Sequence, residues 1–254
     1  VFAAMFGTAA GIYMLTQRNT ARVIYYNSGK NDMLAASSGG ATLLCDISDG
    51  AYKPVKGVMR LATTRLYAVR LDGYMLTHLH RRHVMQFRRL TSKYFVQTLL
   101  LPLPQNDDER SVAGALQATA EENGTGVVWY DASICDNIRF NGLTFELPAR
   151  TYIKRSPHPV ITLRVAGSDA DLLYLSGGAD EDADNERYIL RDSWARKARG
   201  VIFGAHSPKI KQQINFGGFD ELELAVFASG DIKEAAISPV KNPLPPDAVS
   251  ITLE

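Results

Sequence analysis

Short apolar and β-branched segments alternate with turn residues over the first fifty positions. Residues 22–27 (RVIYYN), 32–37 (DMLAAS) and 41–46 (ATLLCD) are separated by glycine-containing turns, a pattern that predicts a meander of strands. From Pro54 to Val69 the period changes. Val58, Leu61, Ala62, Leu66 and Val69 recur at helical spacing with Arg60 and Arg65 on other faces, which predicts a helix packed on the sheet. Gly73, Tyr74, Met75, Leu76 and Thr77 then read as a strand, followed by a polar loop and a second helix from Val84 to Leu90. YFVQTLLLPLP (94–104) is predicted to be another buried strand, and Asp107 to Glu122, rich in charges and alanine, an exposed helix.

The second half repeats the alternation. Strands are predicted at 126–130, 143–147, 159–166 and 171–176, a helix at 184–198, and strands at VIFGAH (201–206) and LELAVFA (222–228). A proline-rich tail ends in VSITLE, which suits a sheet edge. Two strand-rich halves, each followed by helices, point to an α/β fold of the αββα sandwich kind, two sheets packed together with helices outside. The opening meander argues against a doubly wound parallel sheet. No glycine-rich phosphate loop follows a strand and opens a helix, and Gly177-Gly178 is not one.

Composition adds limits to this picture. With 254 residues, 46% hydrophobic and 22% charged, the chain can bury a full core and is not a disordered protein. The 28 basic and 27 acidic residues leave a net charge of +1, so binding to nucleic acid would have to come from local patches. Cys45 and Cys135 are too few for a disulfide framework or a thiolate zinc site and read as small core residues. Residues 1–17 (VFAAMFGTAAGIYMLTQ) carry no charge. They fall short of the roughly 20 apolar residues of a spanning helix, and two readings fit: the exit end of a span that began upstream, or a terminal helix. No basic residues precede them, which speaks against a signal peptide.

The chemistry concentrates in THLHRRH (77–83), where three of the five histidines, His78, His80 and His83, lie just after a strand. Neutral imidazole is a good ligand for zinc and related ions, and a catalytic site needs about three protein ligands plus an open position. An ion held in this way activates water for attack on an ester or phosphodiester. The competing reading is a basic surface loop with incidental histidines.

These residues resemble the metallo-β-lactamase superfamily, whose His-x-His-x-Asp-His motif follows a buried strand. His78, His80 and His83 match the histidines, and Arg82 stands where the aspartate belongs. ATLLCD (41–46) resembles the strand that ends in the family's structural aspartate, which would be Asp46. DLLYLSGG (171–178) resembles the strand that ends in Gly-Asp, with Gly178 replacing the bridging aspartate. GVIFGAH (200–206) resembles the strand carrying the last metal histidine, here His206, and His158 in SPHPVITL falls near the middle ligand. Within the superfamily the chain is most similar to the C-terminal domain of the ComEC family of membrane proteins of DNA uptake. The likeness rests on RVIYYN, LDGYMLTHLH, the strand ending LLLPLP, HPVITLRV and DLLYLSGG, over roughly residues 20–230. It implies a metallo-β-lactamase-like domain at 20–254 and, at 1–19, the end of a transmembrane or linker helix. The implied setting is a cell membrane, with the domain on the extracytoplasmic side, joined to the transmembrane portion of the same polypeptide. Arg18, Arg22 and Lys30 pull the other way, because basic flanks tend to stay cytoplasmic.

The departures bear on mechanism. Of the four ligands of the family's second metal, Arg82 and Gly178 replace two, and an arginine brings a permanent positive charge. A binuclear centre is therefore not expected unless Arg82 turns away or Asp180 or Asp182 moves in to compensate. One zinc or manganese ion on His78, His80 and His158 is the arrangement left. The acidic run 180–186 (DEDADNE) lacks the glycine and spacing of a calcium loop and reads as the start of a helix. Arg81, Arg82, Arg88, Arg89 and Lys93 flank the histidines, and Lys209 and Lys211 follow His206. This rim suits the phosphates of single-stranded DNA; the plainer reading is a solvated face balanced by acids. Phe87 and Tyr94 could stack on bases, although their spacing favours the core. Three functions follow as expectations: a DNA-binding or DNA-guiding domain with reduced or absent hydrolase activity, an active mononuclear phosphodiesterase, or a support module of a membrane channel.

Overall fold

The computed structural model describes residues 70–131 without interruption, and outside them residues 8, 11–12, 21–27, 32–38, 40–46, 59–60, 62–64, 66, 68, 136–140, 143–147, 162–166, 171–175, 197, 200–203, 224–227 and 248–253. Strands β1 (Ala21–Asn27), β2 (Asp32–Ser38) and β3 (Ala41–Cys45) form the expected antiparallel meander. Next come β4 (Leu71–Met75), helix α1 (Arg81–Thr91), β5 (Val96–Pro102), helix α2 (Asp107–Glu122) and β6 (Gly126–Tyr130). The pairs β3/β4, β4/β5 and β5/β6 are parallel. Parallel neighbours need crossovers, and α1 and α2 supply two of them.

The remaining strands are β7 (Asp136–Phe140), β8 (Leu143–Leu147), β9 (Thr162–Ala166), β10 (Asp171–Leu175), β11 (Gly200–Phe203), β12 (Leu224–Phe227) and β13 (Ala248–Leu253). They build a six-stranded sheet in the order β12-β11-β10-β9-β8-β7. The exception is β13, which returns to the first sheet and gives it the order β13-β1-β2-β3-β4-β5-β6. The tail strand pairs antiparallel with β1, at the edge that its sequence suited.

The register explains the layers. Ile24, Ala35, Leu44, Tyr74 and Leu99 stand opposite one another across β1 to β5. All are buried and share one cluster with Phe87 and Leu90 of α1 and Val112, Ala113 and Leu116 of α2. The alternate positions Tyr25, Leu34, Cys45, Met75 and Leu100 are buried as well. A strand buried on both faces needs cover on both, and the second sheet lies against the first through β2 and β8. The two-sheet α/β architecture expected from the sequence is thus present, with α1 and α2 on the outer face of the first sheet.

The helices are set by local signals. His83, Gln86, Phe87 and Leu90 are the buried stripe of α1, at the i, i+3, i+4, i+7 spacing of one face. α2 opens on Asn106, whose side chain accepts from the Glu109 backbone N–H at 2.8 Å, and Asp107, Asp108 and Glu109 fill its first turn. It ends on Gly124 with φ at 66°, a left-handed value glycine adopts at little cost, while the Thr125 N–H closes back on the Ala120 carbonyl at 2.9 Å.

Several expectations shift. β4 spans 71–75 rather than 73–77, so Leu76 and Thr77 belong to the loop, and α1 begins at Arg81 rather than Val84. Residues 59–60 and 62–64 are helical, with Met59, Ala62 and Leu66 buried. β7 was not anticipated. Within 1–19, Thr8, Gly11 and Ile12 are described and helical, and among the described residues no helix is long and apolar enough to cross a membrane. The helix expected at 184–198 and the acidic run 180–186 lie outside the described residues, apart from Lys197.

Cys45 is fully buried on β3, and burial, aided by the charge of Asp46, pushes its thiol well above the ordinary value near 9.0. The unfolded chain therefore releases this proton first as pH rises. Its contribution to stability is complete below about pH 9 and is lost through the alkaline range above it. The unfolding free energy relative to Cys45→Ala is expected to stay level from pH 6 to 8. It should then fall by up to about 1.4 kcal/mol per pH unit in more alkaline solution. A flat difference across the alkaline range would show that Cys45 is solvated.

Candidate metal centre

Parallel strands present their carboxyl ends to a common edge, where loops can gather side chains without disturbing the sheet. At this edge β4 gives way to the loop Leu76–His80. Two anchors hold the loop start: the Leu76 N–H donates to the Leu100 carbonyl at 3.0 Å, and the Tyr130 hydroxyl donates to the Leu76 carbonyl. His80 is then the N-cap of α1, extended at φ −115° and ψ 148°, and the His83 N–H donates to the His80 carbonyl at 3.0 Å. The first helical turn therefore carries His80 and His83 together on the side facing the loop.

The three side chains converge. One ligand nitrogen from each of His78, His80 and His83 lies within 4.8 Å of the others. His78 and His83 are 2% and 1% exposed, while His80 is half-buried. The His78 and His83 Nε2 atoms are 3.1 Å apart. Zinc–nitrogen bonds of about 2.0–2.1 Å in a tetrahedral site put two ligand nitrogens about 3.3 Å apart, so this pair already has the required spacing. His80 makes no side-chain capping hydrogen bond to the helix, and its ligand nitrogen lies within 4.8 Å of the other two. The residues present thus fit a divalent ion with an open coordination site.

Asp46 supports the centre from behind. It follows β3 in a left-handed conformation, φ 46°, that aspartate tolerates better than most residues. Its N–H donates to the Met75 carbonyl at 3.0 Å. Its carboxylate accepts from the Thr77 N–H at 2.7 Å and from the Thr77 hydroxyl, and lies 4.0 Å from His78 Nδ1. The Thr77 hydroxyl in turn contacts His78 Nδ1 at 3.0 Å. Asp46 is thus a buried carboxylate behind a ring, not one of the converging ligand atoms. Asp72 on β4 is a second buried carboxylate, accepting from the Thr42 N–H at 2.8 Å and from Arg70. It fastens the start of the β3/β4 ladder.

The helix side of the ligands brings positive charge. The amino end of α1 contributes roughly half a positive charge, and its first turn contains Arg81 and Arg82 and no acid. Arg82 is exposed, so the arginine expected to occupy a metal position instead points its charge to solvent. Its effect on a cation is long-range repulsion and the absence of a carboxylate. Neutral imidazoles and the Asp46 carboxylate behind His78 are the groups that favour an ion.

The rim differs from its expected form. Arg88 and Arg89 sit in the last turn of α1, about 10 Å along the axis from its start, where cations complement the carboxyl end of the helix. The Arg88 Nε also donates to the Thr119 hydroxyl at 3.1 Å. Among the described residues of that set Arg81 and Arg82 are the ones beside the histidines, and Arg81 faces Asp108 at 4.0 Å across a cleft of about 410 Å³. That cleft opens beside His80 and is walled by Asn106, Glu109 and Val112 of the α2 start. Phe87 is buried in the core and Tyr94 packs against it, so neither is a stacking platform. His158, His206, Gly178, Asp180, Asp182, Lys209 and Lys211 lie outside the described residues.

Thr77 and Tyr130 are functional neighbours that the residue pattern did not single out. The apolar run places Thr77 in a strand, although its position directly before the first histidine is a usable signal. Tyr130 offered none, because its reach to Leu76 spans 54 positions.

Comparison with known proteins adds little detail. No family model matches the chain, and no curated protein does. Among solved structures it is similar to one described as the CmlA beta-hydroxylase E377D mutant, at 13% identity and a TM-score of 0.44, over 71% of this chain and 34% of that one. The chain therefore spans about a third of the length of that protein.

Proposed function

We propose that this chain is a divergent metallo-β-lactamase-type domain of a ComEC-like membrane protein of DNA uptake. In this reading it holds one zinc or manganese ion on His78, His80 and His83 and binds or guides single-stranded DNA past that centre, with reduced or absent hydrolytic activity. The observation that carries the metal part is the convergence of the three imidazoles within 4.8 Å at the carboxyl edge of a parallel strand. Among the described residues His83 joins His78 and His80, while His158, the third ligand expected for a single ion, lies outside them.

A single ion and reduced turnover follow from the same residues. Such an ion supplies Lewis acidity to activate water, but Arg82 and Gly178 stand where the family likeness calls for carboxylates. No described carboxylate joins the three histidines to hold a second ion. Single-stranded DNA and the membrane setting rest on the likeness of RVIYYN, LDGYMLTHLH, HPVITLRV and DLLYLSGG to the ComEC family. The two exposed arginines beside His80 are consistent with phosphate contact, and Asp108 and Glu109, which line the cleft, oppose it. Binding is accordingly expected to be weak and confined to low salt.

Two measurements on the chain test this reading. Metal analysis after zinc or manganese supplementation should find one ion per chain, and none would rule out the metal centre. Fluorescence anisotropy with a labelled oligonucleotide should show affinity falling as salt rises. Absence of binding at low salt would sink the DNA part and leave a structural support module. Rapid metal-dependent cleavage of the oligonucleotide would replace guidance by an active mononuclear phosphodiesterase.

A further inference from the structure

The Thr77 hydroxyl lies between two partners, of which the carboxylate has a fixed character and the imidazole does not. On one side is Asp46, whose carboxylate also accepts the Thr77 N–H at 2.7 Å; on the other is His78 Nδ1 at 3.0 Å. A hydroxyl has one proton to donate, and an ionised carboxylate can only accept. The hydroxyl proton therefore goes to Asp46, and toward His78 the oxygen can offer only a lone pair. A contact of 3.0 Å at that lone pair requires His78 to carry its proton on Nδ1.

We infer that Thr77 is a positioning residue that presets the tautomer of His78, holding the proton on Nδ1 so that Nε2 keeps its lone pair for a metal ion. Free histidine in water favours the opposite tautomer, so the buried Asp46–Thr77 pair works against the ring's own preference. The tautomer of His78 then fixes the role of the neighbouring ring. The His78 and His83 Nε2 atoms are 3.1 Å apart, and two lone pairs cannot face each other at that separation. With His78 Nε2 unprotonated, the proton between them belongs to His83. In the metal-free chain His83 is the donor of that contact, and on metal binding it is His83 whose Nε2 proton must move to Nδ1 or to solvent. His78 needs no change.

The inference extends the metal-centre reading but is measurable without metal. Two-bond nitrogen–proton correlation spectra of the chain labelled at histidine nitrogen, recorded with chelator present, should show His78 protonated on Nδ1 and bare on Nε2. Thr77→Val removes the hydroxyl at similar volume and should move His78 toward the Nε2-protonated form. Thr77→Ser should leave the wild-type pattern. Zinc affinity should fall about 10- to 100-fold in Thr77→Val, the usual effect of losing a ligand's outer partner, and stay within about threefold in Thr77→Ser. A wild-type His78 protonated on Nε2 or on both nitrogens would overturn the inference, as would a Thr77→Val spectrum unchanged from wild type. If Thr77→Val fails to fold, the wild-type tautomer still decides. If the tautomer is as stated and no metal binds, the proposed metal function fails while the role of Thr77 stands.

Discussion

Replacing His78 with alanine is expected to weaken zinc binding by roughly 100- to 1000-fold, equivalent to about 3–4 kcal/mol. His78 is the best-organised of the three ligands. Its ring is buried, braced from behind through Thr77 and Asp46, and placed by a loop that β5 and Tyr130 anchor at Leu76. A ligand held in place before the ion arrives loses little entropy on binding, so its removal forfeits nearly the whole bond. His83→Ala should approach the same loss, because its Nε2 is already 3.1 Å from that of His78. His80→Ala should cost less, since this ring is only half-buried and is less firmly placed before the ion arrives. Competition against a chromophoric chelator measures all three. Equal affinities for the three variants and the parent would mean that zinc binds elsewhere on the chain.

The order of those effects was only partly legible in the sequence. The spacing of His78, His80 and His83 after an apolar run was enough to mark the loop, because imidazoles at that density are rare outside metal sites. What the spacing could not convey was the state of each ring. That depends on Asp46, more than thirty positions away in sequence yet brought within reach by the parallel β3/β4 pair. Long-range pairing of this kind leaves no periodic trace. The same limit explains Arg82, which the motif places among ligands but which the helix turns outward to solvent.

For the fold, the local signals were strong where a strand or helix was regular. The meander, the helix at 107–122 and the strand at 126–130 were all expected from pattern. β7 was overlooked because Asp136, Asn137 and Arg139 dilute its apolar content. A hairpin signal was nevertheless present, since the dipeptide Asn141-Gly142 lies between β7 and its partner β8. β13 illustrates the opposite case. Its sequence suited an edge, but only the assembled sheet shows that it closes the first sheet beside β1, more than 220 residues upstream.

Phe87→Ala is expected to destabilise the chain by about 3–5 kcal/mol, against a net stability for such domains of about 5–15 kcal/mol. The ring is fully buried and stacks on Tyr74 of β4, with centroids 5.6 Å apart and planes 5° from parallel. Truncation removes that stacking and opens a cavity between α1 and the sheet. Stability is only the first consequence. Phe87 lies one turn beyond His83 on the same buried stripe, whereas His78 is held by Asp46 and the strand. Loosening α1 should therefore free His83 and His80 while leaving His78 in place, so zinc affinity should fall even where the variant remains folded. Urea unfolding should show a lower midpoint with an unchanged slope. In the double variant with His83→Ala the loss of zinc affinity should be less than the sum of the two single losses, because both act through the same ligand. A destabilisation below about 1 kcal/mol, or additive losses of affinity, would show that the packing of α1 on β4 does not position His83.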